Sequence, residues 1–201
     1  CNIGEILIVL VSILMKLPVP LLPIQLLWLN LVTDSFPALA LGVEKGDEDI
    51  MNQPPRDPQE PILDKKTSIR IAVQSIAITI ATIGAYQYGL RHFTEQTLEG
   101  ARTIAFVTLI LAELLRSYSA RSESHTVMSI GMFSNRALTL GTVFSLFMTL
   151  IVIYIPFMRT LFHTVFLGAE EWSRIIPFAL IPFVVGEAYK FFHRSTDRTQ
   201  E

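Results

Sequence analysis

Of the chain's 201 residues, 51% are hydrophobic and only 17% are charged, and the mean hydropathy is +0.46; a soluble domain carries about 25% charged residues. A net charge of −2 excludes the basic surface a nucleic-acid partner needs, and a single cysteine, Cys1, excludes an internal disulfide framework. The apolar residues come in long blocks with the charges between them, and about 20 apolar residues in a helix cross a hydrocarbon core about 30 Å thick. The pattern predicts an all-α fold, a polytopic membrane helix bundle of six transmembrane segments that occupies residues 1–201 as one domain.

The first segment, residues 2–17, begins within an apolar run, "CNIGEILIVLVSILMKLPVP", with no initiator Met, basic start or signal-peptide cleavage site. That start predicts a helix cut at its beginning and a chain that is the back part of a larger polypeptide. Pro18 and Pro20 cannot continue a helix, so a tight turn is expected there. The second segment covers residues 20–43. A connector rich in Pro and charge follows, "EKGDEDIMNQPPRDPQEPILDKKTS", and reads as solvated. The third and fourth segments cover 69–90 and 103–118, and a second polar link, "SARSESHTVMSIGMFSN", leads to the fifth at 137–155 and the sixth at 175–192. Eleven Lys and Arg residues gather at one set of segment ends and five at the other. The richer side, with the "PPRDP" connector and the C-terminus, is expected in the cytoplasm.

Polar groups inside these segments cost most where they stand, about 2.5–3.5 kcal/mol for an ionised side chain on insertion scales. Asn2 and Glu5 share one face of the first segment, and Asn30, Thr33 and Asp34 share one face of the second. Pro37 has no N–H, so the Thr33 carbonyl loses its helical donor, and freed carbonyls at membrane depth are tolerated where they line a cavity. Glu113 lies inside the fourth segment, in "LILAELLRSY". All these groups present oxygen, which suits Ca2+ with its ~6–8 oxygen ligands, and without His or Cys the set disfavours softer metals. Blander readings stand beside this one. A lone Asn or Thr in a membrane helix is commonly interhelical glue, Asn2 and Glu5 fit a cytoplasmic loop as well, and Arg116 is spaced to pair with Glu113. Glu187, near the inner end of the last segment, is expected to pair with Lys190 or Tyr189 rather than hold an ion. Trp28 and Trp172 fit packing or interfacial belts.

The stretch "PIQLLWLNLVTDSFPALALGVEKGDEDIMNQPPRDPQEPIL" resembles the sixth transmembrane helix and following loop of P-type calcium-transporting ATPases of the sarcoplasmic/endoplasmic reticulum type. "NIGEIL" is similar to that family's fifth helix, and "ARTIAFVTLILAELLRSYSARSE" more loosely to its eighth. The resemblance implies that the chain is the carboxy-terminal six of ten helices. It also implies that Asn2, Glu5, Thr33, Asp34 and Glu113 build one calcium site. Asn30 and Asp34 would serve a second, together with a glutamate and carbonyls of a fourth helix outside this chain. Having both Glu5 and Asp34 favours calcium over the sodium/potassium and secretory-pathway calcium/manganese relatives. The family's chemistry uses ATP, Mg2+ and a phosphorylated aspartate in cytoplasmic domains belonging to an amino-terminal half. No such phosphorylation sequence or Gly-rich nucleotide loop occurs here, so the expectation is a lipid-embedded translocation part that does not hydrolyse ATP by itself. The short "RHFTEQTLEGAR" link, without a cysteine pair, points to a bacterial plasma-membrane pump. The alternatives are a pump for Mn2+ or Na+ and a non-catalytic channel or scaffold subunit. If Arg116 swings toward Glu113, one calcium per cycle rather than two is expected.

Overall fold

A computed structural model describes residues 2–44, 65–93, 97–122 and 125–197. Most of the "PPRDP" connector and part of the second polar link lie outside these residues. The described residues form nine α-helices and one π-helical turn, with no strand: α1 (Asn2–Leu14), α2 (Pro23–Trp28), the π turn (Leu29–Thr33), α3 (Ser35–Gly42), α4 (Lys65–His92), α5 (Thr97–Ser119), α6 (Val127–Ile130), α7 (Arg136–Tyr154), α8 (Pro156–Phe162) and α9 (Ala169–Asp197).

Four stretches are long and apolar enough to cross a membrane: Pro23–Gly42, Thr67–His92, Arg136–Tyr154 and Ala169–Phe192. The six expected segments are therefore not all reproduced by length and composition. Helix α1 is apolar but has 13 residues, about 20 Å at 1.5 Å per residue. Helix α5 is 23 residues long but carries Glu99, Arg102, Glu113 and Arg116.

Helix α5 is the centre of the bundle. Its residues Ile104, Phe106, Leu109 and Ile110 are all fully buried, between α4 and α9 and against α3 and α7. Helices α4 and α5 pack closely because glycine permits it: a methyl group built on Gly89 would stand 2.6 Å from the Ala101 Cα. Helix α1 lies along α4, and α3 with the π turn lies along α7. Large apolar side chains such as Ile6, Leu31, Leu39, Leu140 and Phe157 remain exposed on the outside, the inverse of a soluble surface and the arrangement lipid requires.

The turn after α1 ends as expected before Pro18, through Lys16 in the left-handed region at φ 56°. The Leu17 N–H donates to the Ser12 carbonyl at 2.9 Å, the six-to-one bond that closes a helix C-terminus. Side chains from the neighbouring helices tie the turn down, with Tyr86 Oη donating to the Pro18 carbonyl and Arg102 Nε to that of Val19. Helix α9 runs on through Pro177 and Pro182. Beside Pro182 the Gln74 amide of α4 faces the helix ladder, and with its oxygen and nitrogen assigned from the hydrogen bonds they can make, the nitrogen donates to the Pro182 carbonyl at 3.2 Å and the oxygen accepts from the Gly186 N–H at 3.3 Å.

Candidate cation site

The second apolar segment is not one helix broken at proline. It is two short helices joined by the π turn, and the distortion begins eight residues before Pro37. The Asp34 N–H reaches back five residues to the Leu29 carbonyl at 2.9 Å, and α3 starts at Ser35. Pro37 is then the third residue of α3, and because the π turn runs directly into that helix the Thr33 carbonyl lacks the N–H that residue 37 would otherwise supply. Side-chain hydroxyls serve the carbonyls this turn disturbs. Thr33 Oγ1 donates to the Leu29 carbonyl at 2.7 Å, Ser35 Oγ to that of Asn30 at 3.1 Å, and Ser145 Oγ of α7 to that of Thr33 at 3.1 Å. The carbonyl freed by Pro37 is thus engaged by a neighbouring helix.

Three helical regions bring carboxylates together. Glu5 of α1, Asp34 after the π turn and Glu113 of α5 each offer an oxygen within 4.8 Å of the others. Glu5 is 7% exposed and Glu113 3%. Opposite oxygens of one calcium shell, each bonded at about 2.4 Å, are about 4.8 Å apart, so the three groups lie within the span of a single coordination shell. Unit negative charges at that distance repel by about 3.5 kcal/mol per pair at an effective dielectric constant of about 20. A divalent cation among them removes that repulsion.

The remaining predicted residues take different positions around this cluster. Asn30 Nδ2 donates to Glu5 Oε2 at 2.8 Å and to the Leu26 carbonyl at 3.0 Å, which orients Glu5 and leaves the amide oxygen as acceptor. Thr33 is buried, and because its proton goes to Leu29 the hydroxyl oxygen keeps lone pairs. Asn2, one turn before Glu5, is exposed. Buried oxygens of the cluster remain without any hydrogen-bond donor, namely Glu5 Oε1 and both oxygens of Glu113. Buried carboxylate oxygens are expensive to leave unmet, and an ion is one way to meet them.

Arg116 makes no hydrogen bond to Glu113, whose two carboxylate oxygens have no hydrogen-bond partner. Arg116 lines a cavity of about 250 Å³ between the start of α4 and the C-terminal parts of α5 and α9, with Arg70, Gln74, Ser119 and Lys190. Glu187 does meet Lys190, whose Nζ donates to its Oε1 at 3.0 Å, and it also takes a hydrogen bond from Ser119 Oγ at 2.6 Å and from the Val127 N–H at 2.8 Å. It is a structural anchor outside the carboxylate cluster.

Sequence reasoning passed over three residues that hold the site-bearing helix. Arg121 forms a two-pronged ion pair with Glu44, just past α3, at 2.9 and 3.0 Å. Asn135 Nδ2 donates to Glu44 Oε2 at 2.6 Å while its Oδ1 caps α7 by accepting from the Leu138 N–H. Ser145 is the third. The Asn135 cap was recognisable from "SNRAL" at the start of an apolar run, whereas the partner of Arg121 is 77 residues away.

A family model described as "Cation transporting ATPase, C-terminus" matches residues 18–192. A calcium-transporting ATPase of Bacillus subtilis (strain 168) is 40% identical over 181 residues, covering 90% of this chain and 20% of the relative. A calcium-transporting ATPase 1 of Bacillus cereus is 32% identical over 204 residues, covering 94% and 23%. The human calcium-transporting ATPase type 2C member 1 is 30% identical over 200 residues, covering 100% and 22%. The chain therefore spans between 20% and 23% of the length of these curated relatives.

Proposed function

This chain belongs to the cation-transporting ATPases, as part of their carboxy-terminal membrane domain, and from that membership we propose that it is the cation-binding and translocation part of an ATP-driven P-type calcium pump. The observation that carries the reading is the convergence of Glu5, Asp34 and Glu113 within 4.8 Å of one another inside the bundle. Asn30 and Thr33 complete an oxygen-rich lining in this reading, and Asn2, exposed at the start of α1, is its outermost proposed ligand. The ligand set contains no His or Cys, in keeping with a hard cation.

The six-segment topology is part of this proposal. Helices α1 and α5 are the two spans that composition alone does not mark. Glu113 of α5 does not face lipid, being buried where α4, α9, α3 and α7 pack against that helix. With the Lys- and Arg-rich ends inside, the C-terminus is cytoplasmic, and the membrane is a bacterial plasma membrane. ATP, Mg2+ and the phosphorylated aspartate act in the cytoplasmic domains of the full-length protein. The polar connector of residues 44–68 relays their state to the second segment, and this chain alone does not hydrolyse ATP.

In the cycle we envisage, the carboxylates hold calcium while open to the cytoplasm, phosphorylation elsewhere tilts the helices, and calcium leaves outward. Three carboxylates this close need a positive charge when the cation goes, so protons travel back on Glu5 and Glu113. The test is Asp34→Asn in the full-length pump. Calcium-dependent phosphorylation from ATP is expected to vanish, and a phosphoenzyme of wild-type level and calcium dependence defeats the ligand assignment. Calcium-45 uptake into vesicles, with Mn2+ and Na+ as competitors, decides the cargo: suppression of uptake by equimolar Mn2+ reassigns the pump.

A further inference from the structure

We infer that Ser145 is a positioning residue for the cation site: from α7, which supplies none of the proposed ligands, it holds the Thr33 carbonyl and so fixes the rotation at which the π turn presents Asn30 and Asp34. The inference rests on the ligand assignment proposed above and adds a residue to it.

The need for a holder follows from the backbone. A carbonyl whose helical donor is a proline requires another donor at membrane depth, because no lipid group supplies one. Thr33 is in that position with respect to Pro37, and Ser145 Oγ meets it at 3.1 Å. Ser145 is fully buried. Hydroxyls in membrane helices ordinarily bond backward to their own helix, and Thr139 and Thr149 of α7 do so, while the Thr142 hydroxyl meets no partner. Thr139 Oγ1 donates to the Asn135 carbonyl at 3.0 Å and Thr149 Oγ1 to that of Ser145 at 2.8 Å. Ser145 instead crosses to the π turn.

The same face of α7 holds α3 at two further levels. One turn earlier, Gly141 lies so close that a methyl group on it would stand 3.2 Å from both the carbonyl carbon and the oxygen of Phe36. At the α7 N-terminus, Asn135 Nδ2 donates to the Ala40 carbonyl at 3.2 Å. Thr33, Phe36 and Ala40 are therefore met in turn by Ser145, Gly141 and Asn135. Three backbone contacts along one antiparallel seam leave α3 little freedom to rotate about its axis. Asp34 follows directly on the residue whose carbonyl Ser145 holds, so release of that carbonyl reaches the ligands first.

The experiment compares Ser145→Ala, Ser145→Thr and Asp34→Asn in the full-length pump. The readouts are the calcium dependence of phosphorylation from ATP and the level of phosphorylation from inorganic phosphate in a calcium chelator. For Ser145→Ala the half-saturating calcium concentration is expected to rise about three- to tenfold, the equilibrium equivalent of one ordinary net hydrogen bond. The maximal phosphoenzyme and the reaction with inorganic phosphate should stay at wild-type levels. Ser145→Thr, which keeps the hydroxyl, should restore the calcium dependence to within about twofold on the same scale. A wild-type calcium dependence in Ser145→Ala overturns the inference. So does a parallel loss of both phosphorylation reactions in Ser145→Ala and Ser145→Thr, which makes Ser145 a general packing residue. If Ser145→Ala is silent while Asp34→Asn abolishes the calcium response, only the positioning role falls; if Asp34→Asn is silent, the ligand assignment falls with it.

Discussion

Replacing Arg121 with Met should loosen the C-terminal end of α3 and lower the stability of the bundle by a predictable amount. Arg121 uses its whole guanidinium: Nε and Nη2 donate to Glu44 at 2.9 and 3.0 Å, Nη2 also to Ser134 Oγ at 2.6 Å, and Nη1 to the carbonyls of Gly131 and Met132 at 2.8 and 3.3 Å. Its side chain is 2% exposed and that of Glu44 15%. Met preserves length and apolar packing but removes every one of these donors. Breaking a buried ion pair from one side costs about 3–5 kcal/mol, and the partial access of water to Glu44 places this case near 3. For a cooperative unit of this chain's length, about 3 kcal/mol corresponds to a fall of roughly 6–12 °C in the midpoint of the membrane domain's own unfolding transition. The assay is thermal unfolding of the purified full-length pump in detergent, followed by the fluorescence of Trp28 and Trp172 where the remaining tryptophans allow, or by loss of the monodisperse chromatographic peak. Glu44→Gln and the double variant complete a cycle, in which the coupling should reach at least about 1.5 kcal/mol. A midpoint shift below about 2 °C on that conversion, or strict additivity of the two substitutions, refutes the view that this pair fastens α3.

Two further substitutions probe other parts of the structure. Glu113→Gln keeps the shape of a side chain whose two oxygens meet no donor; if Glu113 is a calcium ligand, the calcium transported per ATP should fall, and an unchanged ratio removes it from the ligand set. Gly89→Ala places a methyl group 2.6 Å from the Ala101 Cα, so α4 and α5 must separate at a cost of about 1–3 kcal/mol, read as a lower unfolding midpoint, and an unchanged midpoint contradicts the close crossing.

The carboxylate cluster was legible in part because its cost is local. An acid or amide in an apolar run is conspicuous wherever its helix is placed, so Glu5, Asn30, Asp34 and Glu113 stand out before any fold is known. Arg116 shows where such reading ends. Its spacing from Glu113 suits a pair, yet it lines a cavity with Arg70 and Lys190 instead, because a long side chain takes the direction its neighbouring helices leave open. The charged α5 shows the same limit, since its burial depends on the four helices around it.

The amino-acid order by itself determined the apolar blocks, the acids within them, the proline-marked turn after α1 and the loss of a donor at Thr33, all consequences of residue chemistry over a few positions. The tertiary structure alone decided that a π turn precedes Pro37, that Ser145 receives the stranded carbonyl across 112 residues, and that Glu44 and Arg121 meet across 77. Those outcomes depend on which helix lies beside which, because a hydrogen bond is satisfied by whatever donor packing brings within about 3 Å, and no local periodicity encodes that choice.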